Sequence, residues 1–312
     1  MAGRMSLANV TKGRIKRPAR ALVYGPEGVG KSTFGAGAPN PIFLCRGRGT
    51  EELNVSRLPE PETWEEAKEG LYNLSTDKHD YQSIVIDPVD WLEPMLYTYV
   101  LTKVKTLTDD FSAGYALARE QWRLFIAALD KVHIERNMHV IILAHAEIKE
   151  FKNPSGPDYD QWRIALQEKS SAMFRQWVSD VLFVTFETFA AKDKGARAAK
   201  GVSTGKRVAY TEFRAGWYAK NRHGMPPQID WPPNAWAMFE EYLNRDIESD
   251  SKLLREQVVK LSDQIKDKET REKAQAYIAR QNLTIEELRA ALTRVETLVY
   301  EQGEKKEGMN DG

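Results

Sequence analysis

The chain has 312 residues, enough for one large domain with an appendage, and its 45 Lys+Arg against 45 Asp+Glu leave no net field that would draw in a polyanion. A single cysteine, Cys45, excludes an internal disulfide and a cysteine-based zinc site, and fits a reducing cytoplasm. No apolar run has bilayer-spanning length, and Met1 to Arg20 lacks the apolar core of a signal peptide.

Residues 1–19 read as a basic arm: Arg4, Lys12, Arg14, Lys16 and Arg17, continued by Arg20, come with no acidic residue. Such an arm is either a contact for phosphates or a solvated tail. Ala21-Leu22-Val23-Tyr24 then reads as a short buried strand. Directly after it, Gly25-Pro26-Glu27-Gly28-Val29-Gly30-Lys31-Ser32-Thr33 fits G-x-x-x-x-G-K-[ST], with Gly25, Gly30, Lys31 and Ser32 at the fixed positions. A loop that folds around phosphates turns its N–H groups inward and takes left-handed backbone angles, which favours glycine. Lys31 supplies a point charge for β/γ-phosphate oxygens, and the Ser32 hydroxyl is a hard ligand suited to Mg²⁺. The helix expected after the loop adds the positive end of its dipole. A nucleotide and Mg²⁺ are therefore the expected ligands, with the nine residues 25–33 as their cradle.

Pro41 to Cys45 reads as a second buried strand, with Cys45 a small buried hydrophobe at its end. Thr63, with Glu66 three residues on, is a capping-box signature for a helix through about Leu74. Tyr81-Gln82-Ser83-Ile84-Val85-Ile86-Asp87 is an apolar strand ending in aspartate, placed to hold a Mg²⁺-bound water near Ser32. The alternative is an aspartate that merely caps a turn. Helices are expected over 91–105 and from Tyr115 to about Arg136; in the second, Leu117, Trp122, Phe125, Ile126, Leu129, Val132 and Ile134 recur near helical spacing as a core stripe.

His139 to His145 is another apolar strand with a polar end. Near-continuous apolar strands alternating with helices call for an α/β fold with a mostly parallel sheet covered on both faces. In such sheets ligands gather beyond the carboxyl ends of strands. Gly25, Asp87 and His145 all fall at such ends, which makes His145 a candidate for a γ-phosphate or water contact.

Glu147 to Asp160 reads as a polar loop, followed by a helix through about Val178 and a strand over Val181–Phe186. Between Lys192 and Arg207, Lys192, Lys194, Arg197, Lys200, Lys206 and Arg207 face one acid, Asp193, in a glycine-containing run that reads as a hairpin tip. It either grips phosphates or is a solvated loop. After a strand over Arg207–Phe213, Lys220 and Arg222 stand two residues apart before a turn. Two same-side cations at a strand end can reach a phosphate across a subunit boundary, as an arginine finger does. Ala235–Asn244 closes this domain as a helix, giving a boundary at about residue 247. From Ser251 the composition turns to Glu, Lys, Leu and Gln, with Leu254, Val258, Leu261 and Ile265 at helical spacing, and Thr284 with Glu287 as a second capping box. Residues 248–301 read as a small helical appendage, and 302–312 as a disordered tail.

Four stretches in order resemble the phage-encoded P-loop nucleotide-binding proteins with a RecA-like core, several of which are regarded as single-strand-annealing recombinases. They are Gly-Pro-Glu-Gly-Val-Gly-Lys-Ser-Thr at 25–33, Ile-Asp-Pro-Val-Asp-Trp-Leu-Glu-Pro at 86–94, Ile-Ile-Leu-Ala-His-Ala at 141–146 and Ala-Lys-Asn-Arg-His-Gly-Met-Pro at 219–226. The resemblance spans about residues 20–240. It implies a RecA-like ATP-binding domain, working in the cytoplasm of an infected bacterial host on single-stranded DNA in recombination or annealing. It implies a homo-oligomer, ring or filament, with single-strand-binding or other replication proteins as further partners. Lys31 and Ser32 would hold phosphates and magnesium, Asp87 would be the Walker B acid, and His145 the γ-phosphate sensor. Lys220 and Arg222 would act on a neighbouring copy's ATP, and the loop after His145 would lie where RecA-like proteins keep a DNA-binding loop. One departure bears on turnover to ADP and phosphate. Relatives carry a water-polarising glutamate after the second strand, whereas here that place falls on Gly47. Glu51, Glu52 and Asp90 are the candidate substitutes; without one, the protein would act as a nucleotide-gated DNA-binding scaffold or loader.

Overall fold

The computed structural model describes residues 6–10, 12, 15–104, 111–191, 200–245, 247–280, 283 and 285–307. In chain order these form β1 (Arg20–Gly25), α1 (Lys31–Ala36), β2 (Pro41–Cys45), β3 (Ser56–Arg57), α2 (Trp64–Thr76), β4 (Ser83–Asp87), α3 (Leu92–Lys103), α4 (Phe111–Glu135) and β5 (His139–Phe151). Then follow β6 (Tyr159–Ile164), α5 (Glu168–Trp177), β7 (Asp180–Ala191), β8 (Lys200–Tyr210), β9 (Gln228–Asp230), α6 (Ala235–Asn244), α7 (Ile247–Ser262), α8 (Lys268–Ile278) and α9 (Ile285–Glu307).

The strands form one sheet in the order β3-β2-β4-β5-β1-β7-β8-β9, with β6 paired to β5 outside that row. Every pairing from β3 to β7 is parallel; β7–β8, β8–β9 and β5–β6 are antiparallel. This is the α/β architecture with a mostly parallel sheet expected from the apolar strand runs, with the strand that carries the phosphate loop in the interior of the parallel region.

Period-two side chains explain why these strands are apolar throughout. Leu22, Tyr24, Ile84, Ile86, Val140 and Ile142 point to one face, where Trp64 of α2, Leu96 of α3 and Trp122, Phe125 and Leu129 of α4 cover them. Ala21, Val23, Val85, Ile141 and Leu143 point to the other, under Phe34 of α1, Trp231, and Trp236 and Phe239 of α6. On the first face Trp64 stacks on Phe125 and meets Trp122 edge-on. Of the α4 stripe, Ile134 alone lies exposed, at 48%.

The cap expected for α2 is present: Thr63 accepts from the Glu66 N–H at 3.2 Å, though Glu66 reaches back to the N–H of Glu62 instead of Thr63. The second capping box lies partly outside the described residues, because Thr284 is among those not described. α7, α8 and α9 share a separate core of Val258, Ile265, Ile278, Leu288 and Val295. α9 continues to Glu307, past residue 301 where the helical appendage was expected to end, so residues 302–307 are helical where a disordered tail was expected.

Two local readings are corrected. β5 does not stop at His145. It runs on to Phe151 and pairs with β6, from Ala146↔Ile164 to Phe151↔Tyr159, so the expected polar loop of 147–160 is mostly a two-stranded hairpin. Its polar residues lie on the strands or in the turn between them, outside the core, and its lysines pair locally: Lys149 with Glu147, and Lys152 in the turn with Glu150 and Asp158. Arg20 is not part of a free basic arm; it sits in β1, pairs with Asp130 at 3.3 Å and stacks over Trp177. Arg4 and Arg14, and the Lys192, Asp193, Lys194 and Arg197 part of the basic run, lie outside the described residues.

Candidate functional site

Sheet register places the predicted residues together. Gly25, the last residue of β1, is the partner of His145 on β5, and Asp87, the last residue of β4, lies one step beyond the Ile86↔Ile142 pair on the other side of β5. Three adjacent parallel strands thus deliver the loop, the acid and the histidine to one carboxyl edge.

The glycines of the loop are needed for different reasons. Gly28 and Gly30 have φ of 72° and 96°, the left-handed region, which L side chains rarely adopt. Gly25 has no positive φ; a Cβ there would lie 2.0 Å from the Val184 carbonyl oxygen of β7, so the need is steric. α1 is only six residues long. Phosphate affinity therefore rests on the loop N–H groups and Lys31 more than on a helix dipole.

Lys31 is 7% exposed, and its ammonium donates to the carbonyls of Gly25 at 3.0 Å and Pro26 at 2.9 Å. Burial pulls its pKa down, and the charges of Asp87, Asp90 and Glu27 oppose this. Burial raises the pKa of Asp87, opposed by the Ser32 hydroxyl and the charges of Lys31 and His145. A hydroxyl and a single carboxylate, one beside the other, are hard oxygen donors of the kind that bind Mg²⁺ together with substrate phosphates and water. Among the described residues no cluster of three or more His, Cys, Asp or Glu could cage a metal by itself, so Ser32 and Asp87 would share the ion with substrate.

His145 is held by Asp90, which sits in a short 3-10 turn after β4. Asp90 accepts from the His145 backbone N–H and from ring Nδ1–H, each at 2.8 Å. A carboxylate only accepts, so Nδ1 carries the proton and Nε2 is the ring atom left for another partner. That hydrogen bond is the main cause of a raised His145 pKa. Asp90 had been expected only as a substitute for the missing glutamate; its tie to His145 is visible only in the fold, because 55 residues separate the two.

Gly47 has a φ of 70°, and its N–H donates to Glu60 at 3.2 Å; Glu60 also pairs with Arg46. The carboxylate that reaches this position thus comes from the segment after β3. Glu51 and Glu52 stand exposed in the turn beyond β2. Cys45 is buried as expected and touches Thr50.

The Lys220–Arg222 segment lies at the other end of the sheet. Lys220 bridges Val181, and Asp180 of β7 accepts from the Arg222 N–H. Asp180 pairs with Ala21 in β1, four residues before Gly25, or about 13 Å by strand rise. The two cations also diverge. The Lys220 ammonium donates to the carbonyls of Arg175 and Val178 at the end of α5, at 2.5 and 2.6 Å, while Arg222 is exposed. Lys220 is therefore engaged as a helix cap within its own chain, and of the expected pair only Arg222 projects outward. The segment is tied down by isolated bridges and by buried Asp180, so the alternation of a regular strand does not govern where these side chains point.

Two further residues stand at the loop. Arg207 of β8 and Trp231 approach Gly30: a Cβ built there would be 3.0 Å from Arg207 Nη1 and 3.8 Å from Trp231 Nε1. Arg207 ends the basic run read as either a phosphate grip or a solvated loop, nothing in the sequence marks Trp231, and the β7–β8–β9 pairings bring both to the loop.

No curated protein matches. Among solved structures, the crystal structure of the RadB recombinase aligns with a TM-score of 0.40 and 13% identity, over 69% of this chain and 87% of that one. The AAA domain family model matches residues 17–223, from just before β1 to just past Arg222, covering the loop, Asp87, Asp90 and His145, and on that match over more than half its length the chain belongs to the AAA domain family.

Proposed function

We propose that this protein binds Mg²⁺–ATP on the 25–33 loop, hydrolyses it, and uses the bound state to control its grip on single-stranded DNA as a homo-oligomer. The observation that carries the nucleotide half is the meeting of Gly25, Lys31, Asp87 and an Asp90-held His145 at one edge of three adjacent strands. In this reading Lys31 leaves the Gly25 and Pro26 carbonyls for the β/γ oxygens, while Ser32 and Asp87 hold magnesium. Magnesium, when bound, neutralises charge on those oxygens. His145, its ring fixed through Nδ1, offers Nε2 to the terminal phosphate or to water. Arg222 reaches the site of an adjacent copy, since within one chain it lies at the wrong end of β7.

The DNA half rests on the family resemblance and on the hairpin that rises from His145. Its lysines are paired internally, so bases would be held by stacking more than by those charges. Phe151 and Tyr159, with ring centroids 5.0 Å apart at the end of the hairpin pairing, offer such surfaces. Gly47 favours a second reading, a nucleotide-gated DNA binder with little turnover, because the residue where relatives carry an acid has no side chain of its own and the carboxylate that reaches it, Glu60, is paired with Arg46.

The experiment is ATP hydrolysis with and without single-stranded DNA, alongside DNA binding in the ATP, ADP and nucleotide-free states. DNA-stimulated turnover that vanishes in Lys31→Ala supports the first reading. Nucleotide-dependent DNA binding without turnover supports the second. Absence of nucleotide binding sinks both.

A further inference from the structure

We infer that Arg207, seconded by the indole N–H of Trp231, forms a wall of the nucleotide site from within the same chain and binds phosphate oxygens there. The inference deepens the nucleotide-binding reading above and rests on it.

Arg207 carries five N–H donors, yet among the described residues no carboxylate pairs with it; its contact is the Phe186 ring, 5.9 Å from the guanidinium carbon. Its neighbour Lys206 is different: that ammonium is matched by Asp230 at 2.7 Å. The strand thus neutralises the cation that faces away and leaves unmatched the one that faces the loop. Trp231 is an independent observation. It is 3% exposed, its ring is stacked on Phe34 at 4.7 Å, and its Nε1 has no acceptor among the described residues. A buried N–H without an acceptor destabilises the fold unless a ligand supplies one. The Trp231 backbone N–H donates to the Arg207 carbonyl at 2.9 Å, so β8 and β9 hold the two donors as a unit. Both converge on Gly30, at the bend of the loop that would cradle the phosphates, and an unpaired guanidinium with an orphan N–H beside it suits a multiply charged oxyanion.

The test measures the affinity of ribose-labelled fluorescent ATP and ADP for the full chain and for Arg207→Ala, Arg207→Lys and Trp231→Phe, with a nucleotide-free thermal melt of each. Arg207→Ala is expected to weaken both nucleotides about tenfold or more, with Arg207→Lys recovering most of the loss. Trp231→Phe, which removes only the N–H, is expected to weaken them a few-fold and to abolish the component of tryptophan fluorescence that responds to ATP. Arg207→Ala binding within twofold of wild type overturns the inference and leaves the nucleotide-binding reading intact. So does a loss in Arg207→Ala that Arg207→Lys fails to recover while the melts match, because that loss would come from packing. Wild type that binds neither nucleotide overturns the reading and the inference together. If Arg207→Ala does not fold, Arg207→Lys and Trp231→Phe decide: wild-type affinity and fluorescence response in Trp231→Phe overturn the inference.

Discussion

The Val184 carbonyl oxygen stands 2.0 Å from where a Cβ on Gly25 would lie. That oxygen is backbone in β7, directly beside β1, and cannot swing aside as a side-chain tip would. Gly25→Ala must therefore part the two strands at the point where the loop begins. We expect a cost of about 1–3 kcal/mol or more, read as a lower melting temperature, with nucleotide binding lost in parallel. Gly28→Ala is the contrast. It meets nothing within 4 Å, but it must hold a φ of 72°, so its cost should be about 1 kcal/mol. A Gly25→Ala protein that melts with wild type would refute the packing argument.

Under the proposed function, Asp90→Asn leaves the loop, Lys31 and Asp87 in place and releases the ring of His145. The expected result is a fall in kcat of about ten- to a hundredfold with KM little changed, as for other groups that orient a catalytic partner. Stability gives a second readout. His145 has a folded pKa above 6.5, so its bond to Asp90 stabilises the fold fully below pH 6.5 and loses that effect as pH rises through the folded value. Melts of wild type across that window should decline relative to those of Asp90→Asn. Parallel curves would mean that the pair is not an ionic one.

What could be read from the chain was what local sequence encodes. The loop, Asp87 and His145 each end an apolar run, and period two put both strand faces in the core, so the sheet and the edge where these residues meet were legible. The continuation of β5 was not, because strand residues 147–151 leave the core and their polar side chains look like those of a loop. The split between Lys220 and Arg222 was hidden for another reason: spacing of two predicts a shared face only within a regular strand. Arg207 and Trp231 meet the loop through pairings over more than 170 residues, beyond the reach of any window.

His139 offers a prediction independent of the nucleotide. Its Nδ1 accepts from the Ala19 N–H at 2.9 Å, which requires that nitrogen to be unprotonated. Burial, reinforced by the nearby His133, holds its pKa down at about 4. The unfolded chain binds this proton more tightly than the folded one, so stability is kept above pH 6.5 and lost as pH falls from there towards about 4. His139→Asn, which keeps an acceptor but cannot titrate, should flatten that part of the stability–pH curve. His133, also lowered by burial, would contribute the remaining slope in the same direction. Denaturant melts between pH 4 and 7 decide it; an unchanged slope in the variant would place the acid sensitivity elsewhere.

Lys220 and Arg222 should separate cleanly by experiment. Lys220→Ala uncovers two carbonyls at the end of α5, Arg175 and Val178, and is expected to lower stability by about 1–2 kcal/mol. Arg222→Ala removes an exposed side chain and should melt within about 0.5 kcal/mol of wild type. If Arg222 serves the site of a neighbouring copy, Arg222→Ala will be deficient in turnover although it binds nucleotide. Mixing it with Lys31→Ala, itself inactive, should then restore part of the activity, because a mixed pair contains one site with an intact loop from the first protein and an intact arginine from the second. Restoration that grows with protein concentration is the expected result. No restoration at any ratio, with both variants shown to co-assemble, would confine Arg222 to its own chain.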